Sequence, residues 1–450
     1  MAANNKRREH EIGPASRAKN LAWIFFLAGS CLLAQNTGKT VRHHTIAEAD
    51  TSSPPELTQA ETAIEKNDYA TAQPLLQKIV EHDPADYVAW FDLGFVYNAL
   101  GKTDDAIVAY RKSVAARPDV FEANLNLGLT LAKARQPDAE KFLRAATQLT
   151  PSSHPEEGRE RAWLSLAHVL ENAQPQQALA AYRQAAALQP KDPEPHISAG
   201  LLLERQNDWP GAAEEYQQVL ALDPQSVEAL TGLANVYMRD KRTTEAEATL
   251  RKLAALRPDD AGVHFQLGRM LAAGGKNDDA LTEIQAGLKL EPGDTEAQRD
   301  LAQVLTSAGK LDQAESLYRS FLAARPDDAP AHHALGQLLL KQHKFPEAQQ
   351  EFLATVKLKP DFGEAYGDLA VAANENKDYA LAIRAVDARA KLLPEIPISY
   401  FLRATAYDHL HDYKQAAENY HRFLEVANGQ LPDQEWQARH RLIAIEPKKK

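Results

Sequence analysis

The chain has 450 residues, a formal charge of −11 and an ordinary balance of apolar and charged side chains, which excludes disorder over most of its length. The acidic excess argues against non-specific nucleic-acid binding, which needs clustered Lys and Arg. The one cysteine, Cys31, excludes an intramolecular disulfide and a thiolate metal site.

Residues 1–34 hold Lys6, Arg7, Arg8, Arg17 and Lys19 against Glu9 and Glu11, a net +3 that leaves −14 for the remainder. Leu21 to Ala34 is then an apolar run of 14 residues. As a helix it spans about 21 Å, short of the roughly 30 Å of a bilayer core. Basic, then briefly apolar, then small is the pattern of an export signal, expected over residues 1–35. Three readings stay open: cleavage after Ala34, a lipoprotein-type box at Ala28-Gly29-Ser30-Cys31 with Cys31 lipidated, and an uncleaved anchor. Cys31 is otherwise a small filler of the apolar run. The expected location is exported, periplasmic or membrane-associated, with membrane contact only through this segment. Residues 36–55, rich in Thr, Ser and His and ending in Pro54-Pro55, read as a flexible linker.

A proline then recurs at Pro84, Pro118, Pro151, Pro190, Pro224, Pro258, Pro292, Pro326, Pro360 and Pro394, every 34 residues from Pro190 onward. Twelve residues before each stands an alanine, Ala72 to Ala382, and Ala416 continues the series. Ten residues after most stands a small residue, such as Gly94, Gly128, Gly200, Gly268 and Gly336, with Ala167 in the irregular fourth unit. Eight residues before the proline position come large side chains: Tyr110, Tyr182, Tyr216, Tyr318, Phe352 and Tyr420. Proline ends the second helix of each unit. Asp86, Asp192, Asp260, Asp294 and Asp328 follow it as expected caps of the next helix. Gly101, Gly275 and Gly309 are placed to end the first helix in a left-handed turn. Small residues let the crossing helices approach where a larger side chain would overpack them.

A 34-residue period with Trp90, Leu93, Gly94, Tyr97, Ala106, Tyr110 and Pro118 in one unit resembles the tetratricopeptide repeat. The resemblance covers about residues 53–428, with a solenoid domain over 56–428. It implies an all-α fold: a right-handed superhelical solenoid of about eleven antiparallel helix pairs with a concave groove. The turns within the third and fourth units are one residue short, and Ser152 to Gly158 is an insertion expected to kink the array or form a loop. Residues 429–450 are expected to form a capping helix, with Trp436, Leu442 and Ile443 covering the last unit, and a solvated basic tail.

The resemblance also implies where a guest would lie, along the first helix of each unit. The family's groove positions fall here on Phe91, Phe95, Asn98, Arg205, Asn235 and Arg239. Further along they fall on Phe265, Arg269, Arg299, Gln303, His333, Gln337 and Lys341. Arg239, Arg269 and Arg299 suggest a basic stripe for an acidic or C-terminal peptide, or else a set of ordinary surface ion pairs. Phe91 and Phe95 suit either an apolar anchor or the core. A carboxylate clamp is not expected: Asn235 matches one clamp position, but Thr231, Gln266, Glu296 and Asp300 replace its partners.

No phosphate loop, dinucleotide fingerprint, HExxH or GxSxG motif is present. The adjacent His332 and His333 point in different directions on a helix, so a shared metal is not expected. Catalysis and cofactors are therefore not expected. The partners expected are proteins or extended peptide segments, bound by a scaffold in a cell-envelope complex. A component of polysaccharide assembly or export and a regulatory subunit of a separate enzyme are the alternatives. The sequence leaves the oligomeric state open.

Overall fold

In the computed structural model residues 55–446 are described, and among them there are 23 helices and no strand. The expected export segment, Cys31, most of the linker and the tail at 447–450 lie outside the described residues. The described residues divide into two compact units, the first ending at Gly232 and the second starting at Leu233.

Unit 1 holds α1 (Pro55–Glu65), α2 (Tyr69–His82), α3 (Tyr87–Ala99), α4 (Thr103–Ala116) and α5 (Phe121–Lys133). It continues with α6 (Ala139–Gln148), α7 (Pro155–Leu170), α8 (Pro175–Leu188), α9 (Glu194–Arg205), α10 (Trp209–Leu222) and the start of α11 (Val227–Arg239). Unit 2 continues with α12 (Thr243–Leu256), α13 (Ala261–Ala273), α14 (Asn277–Leu290), α15 (Thr295–Ser307), α16 (Leu311–Ala324) and α17 (Ala329–Lys341). Then come α18 (Phe345–Leu358), α19 (Gly363–Glu375), α20 (Tyr379–Leu392), α21 (Pro397–His409), α22 (Tyr413–Ala427) and α23 (Pro432–Ile445).

Within each unit the helices pair as hairpins, and each second helix also packs on the first helix of the next hairpin. The small–large pairing seen in the sequence makes this possible. A Cβ on Gly94 would lie 2.6 Å from the Tyr110 ring, and one on Gly336 2.7 Å from the Phe352 ring. Glycine is required there because the ring occupies the space a side chain would fill. The alanines of the series, from Ala72 to Ala416, are buried.

Helix starts follow the expected caps. Asp86, Asp260, Asp294 and Asp328 accept from the backbone amides of Ala89, Val263, Ala297 and Ala331 at 2.8–3.3 Å. Asp192 instead accepts from the amide of Glu194, because Pro193 occupies the cap position of α9. Gly101, Gly275 and Gly309 are left-handed, as expected. So are Asn67, Arg135, Asn207, Lys241, His343, Lys377 and His411, where the sequence carries no glycine. A β-carbon is disfavoured in that region. Lys377→Gly, at φ 65°, is therefore expected to stabilise the α19–α20 hairpin by about 1 kcal/mol, read as slower amide exchange there.

The insertion is mostly helix. Pro155 opens α7, leaving a short bend in which His154 is left-handed. Glu122 of α5 holds this bend by accepting from the Ser152 amide and hydroxyl at 2.7 and 2.6 Å. At the other end Ala438 and Leu442 of α23 pack into the cluster of Ala404, Tyr420 and Phe423. Arg441 ties α23 to α21 by donating twice to Asp408, at 2.7 and 2.6 Å. Trp436 and Ile443 do not cover the last unit; they are 62% and 76% exposed. The helix rotates so that small Ala438, not the indole, meets α21 and α22.

Candidate functional site

In each unit first helices also meet one another: α1 with α3 and α5 with α7, then α13 with α15, α15 with α17, α17 with α19 and α19 with α21. The side chains these helices turn away from their hairpin partners make their outer face, where the candidate residues fall except Phe91 and Phe265, which turn onto the partner helix.

In unit 1, Phe91 is core, 5.8 Å from the Tyr110 ring. Phe95 is half-buried, edge-on to Tyr69 at 6.2 Å. Asn98 is half-buried near the end of α3. Arg205 is exposed and pairs with Glu171 of the preceding hairpin at 2.5 Å. Glu171 also accepts from the Tyr182 hydroxyl, so one carboxylate joins two hairpins. Beneath this face lie polar groups that periodicity did not reveal. Asp92 and Asn126 are buried and carry side-chain atoms without a hydrogen-bond partner. Burial holds the Asp92 carboxyl well above its usual range, with Glu61 and Asp86 adding repulsion.

In unit 2, Asn235 is half-buried and Arg239 exposed. Phe265 is core: a Cβ on Gly287 would lie 2.3 Å from its ring. Arg269 bridges to the next hairpin, bonding Asp300 at 2.5 Å and Glu296 at 3.3 Å. The two acidic residues that break the clamp pattern thus neutralise the middle arginine. Arg299 is half-buried and acts electrostatically on Tyr318, whose phenol burial pushes up to about 12. Gln303, Gln337 and Lys341 are exposed. His333 and Gln337 converge on Asp368 of the next hairpin, each at 2.9 Å. The stripe is therefore partly a ladder of inter-hairpin bonds. Removing Arg269 (Arg269→Leu) is expected to cost about 1 kcal/mol, diminishing with salt, measured as the salt dependence of exchange in α13 and α15.

A second ladder escaped the sequence reading. His196, His264 and His332, in every second hairpin, bond Glu215, Glu283 and Glu351 at 2.6–2.7 Å. His332 and His333 have separate partners, consistent with their divergent directions. Trp90, Asn124 and Gln298 occupy the same repeat position as His264 and His332, and each donates to the carbonyl of its repeat proline at 2.8–3.0 Å. The common signal is a donor six residues after that proline.

Among the described residues no group of three or more His, Cys, Asp or Glu is placed to hold a metal. No helix there is long and apolar enough to cross a membrane. What remains is a helical repeat whose first helices carry a mixed polar surface.

That arrangement defines an interaction scaffold of stacked helix pairs. A tetratricopeptide-repeat profile matches residues 63–123, 203–267 and 270–339, and a second matches 96–154 and 333–397. Together they span more than half of the chain, which belongs to the tetratricopeptide-repeat family. Proteins of this family generally mediate protein–protein interaction and are generally non-catalytic. No curated protein sequence matches the chain. Similar solved structures include YrrB, a repeat protein with an unusual peptide-binding site: 24% identity over 42% of this chain and 96% of that one, TM-score 0.38. MamA from Desulfovibrio magneticus is 22% identical over 38% of this chain and 96% of its own, TM-score 0.36. The C-terminal part of a repeat protein from Cytophaga hutchinsonii is 16% identical over 54% and 98%, TM-score 0.48.

Proposed function

We propose that this chain is a non-catalytic scaffold that holds an extended segment of a partner protein against its first-helix faces, within a cell-envelope complex. The observation that carries the reading is the composition of those faces. Gln303, Gln337 and Lys341 are exposed while the alanines and large rings beneath them are buried. Such a surface offers adaptable hydrogen bonds over a rigid base, which suits a peptide backbone better than a small molecule. The basic and then apolar sequence of residues 1–34 supports the envelope location.

Cross-linking with mass spectrometry in the native host, together with the mass of the mature N-terminus, tests both parts. Partner cross-links concentrated on α3, α9, α13, α15 and α17 are expected. Cross-links confined to second helices would overturn the binding face. A chain recovered wholly with soluble cytoplasmic protein would overturn the envelope location.

A further inference from the structure

Glu160 in the second turn of α7, Glu194 in the first turn of α9 and Glu228 in the first turn of α11 stand one per hairpin, and Asp192 precedes α9. All lie in unit 1. Glu194 and Glu228 are exposed, Asp192 is half-buried, and Glu160 is only 8% exposed. Glu160 Oε1 has no hydrogen-bond partner. A buried carboxylate oxygen without a donor is costly, so such an atom calls for one. Arg161 lies among these groups and acts on Glu160 and Glu194, yet leaves that oxygen unsatisfied. The carboxylates do not gather round a common metal. They form a spaced row, which suits cations that are themselves spaced along a chain.

We propose that this row seats arginine or lysine side chains of an extended partner segment, with Glu160 Oε1 as the buried acceptor. This deepens the scaffold reading and rests on it. It also reverses the charge expected of the guest, because in unit 2 Arg269 is already bonded to Glu296 and Asp300. Neighbouring helices pack about 8–10 Å apart, and an extended peptide advances roughly 3.3 Å per residue. A cation at every third residue is the peptide spacing that meets carboxylates set one helix spacing apart. A guanidinium can donate in parallel to a carboxylate. It also relieves the electrostatic stress at the site. Burial pushes the Glu160 carboxyl up to about 7, Asp192 and Glu194 add repulsion, and Arg161 and Glu157 act with smaller and opposite effects. Glu194, though exposed as a residue, is raised too by partial desolvation of its carboxyl, helped by Asp192 and Glu228 and opposed by Arg161.

The test is fluorescence anisotropy with the full chain and a labelled extended peptide bearing arginine at every third position. Controls carry citrulline or glutamate at the same positions. The arginine peptide is expected to bind at least about tenfold more tightly than the citrulline peptide, and more tightly at pH 8 than at pH 6. Glu194→Gln with Glu228→Gln is expected to weaken binding about tenfold, and Glu160→Gln to flatten the pH profile. Asp104→Asn with Asp105→Asn, on the exposed start of α4, removes the same charge elsewhere and is expected to leave affinity unchanged. Equal binding of the citrulline peptide, or equal loss in the α4 control, overturns the site. Circular dichroism of each variant shows that the fold is retained. Failure here is distinguishable from failure of the scaffold reading: native cross-links would still fall on first helices, with partner affinity indifferent to the glutamate variants.

Discussion

Phe352→Ala is expected to destabilise the α17–α18 hairpin by about 3–5 kcal/mol, the range for emptying an aromatic site in a well-packed core. Phe352 is fully buried, seated against Gly336, with the His333 ring 5.6 Å away. Gly336 has no side chain to collapse into the space, so the cavity remains. His333 also loses a wall that directs it toward Asp368. In a stack where each hairpin touches only its neighbours, the loss stays local. Amide exchange should accelerate throughout α17 and α18, while α13 keeps its protection. Uniform acceleration across unit 2 would show that the unit unfolds as one body, and unchanged exchange in α17 would show that the ring is not what joins the pair.

Such a prediction was nearly complete in the sequence. Gly336, Ala348 and Phe352 each recur at fixed distances from a proline, and recurrence separates a packing role from chance. The sites were less legible, for a physical reason. Period alone marks which residues lie on a first helix, but not which way a ring turns. Phe91 and Phe265 turn inward onto Tyr110 and against Gly287, whereas Phe95 stays half-buried. Whether Arg269 is available depends on Glu296 and Asp300, which lie in another hairpin. The left-handed turns at Lys241, His343 and Lys377 were invisible because the usual signal, glycine, is missing. Glu194 and Glu228 do stand 34 residues apart. Glu160 stands another 34 residues before Glu194, but that it is buried with Oε1 unsatisfied shows only in the structure.

Stability of the α7–α9 region is expected to fall as pH rises through 7. The Glu160 carboxyl ordinarily ionises near 4.5, and in the fold burial raises it to about 7. Between those values the folded chain keeps a proton that the unfolded chain has released. The folded state therefore binds more protons, and raising the pH favours unfolding. Each pH unit in this window is worth up to about 1.4 kcal/mol. Solvent reaching Asp192 and Glu194 screens part of the repulsion, so a total of about 2 kcal/mol is expected. Glu160→Gln should remove the slope and leave the protein more stable at pH 8, measured as local opening free energies by amide exchange in α7. A slope unchanged by the substitution would place the titrating group elsewhere. The same free energy links stability to the guest. A cation that bonds ionised Glu160 favours the charged form, so the arginine peptide should restore protection at pH 8 and do little at pH 5, where Glu160 is protonated. Glu160→Gln should abolish that rescue while leaving the hairpin folded, which separates the loss of a binding charge from the loss of a structural one.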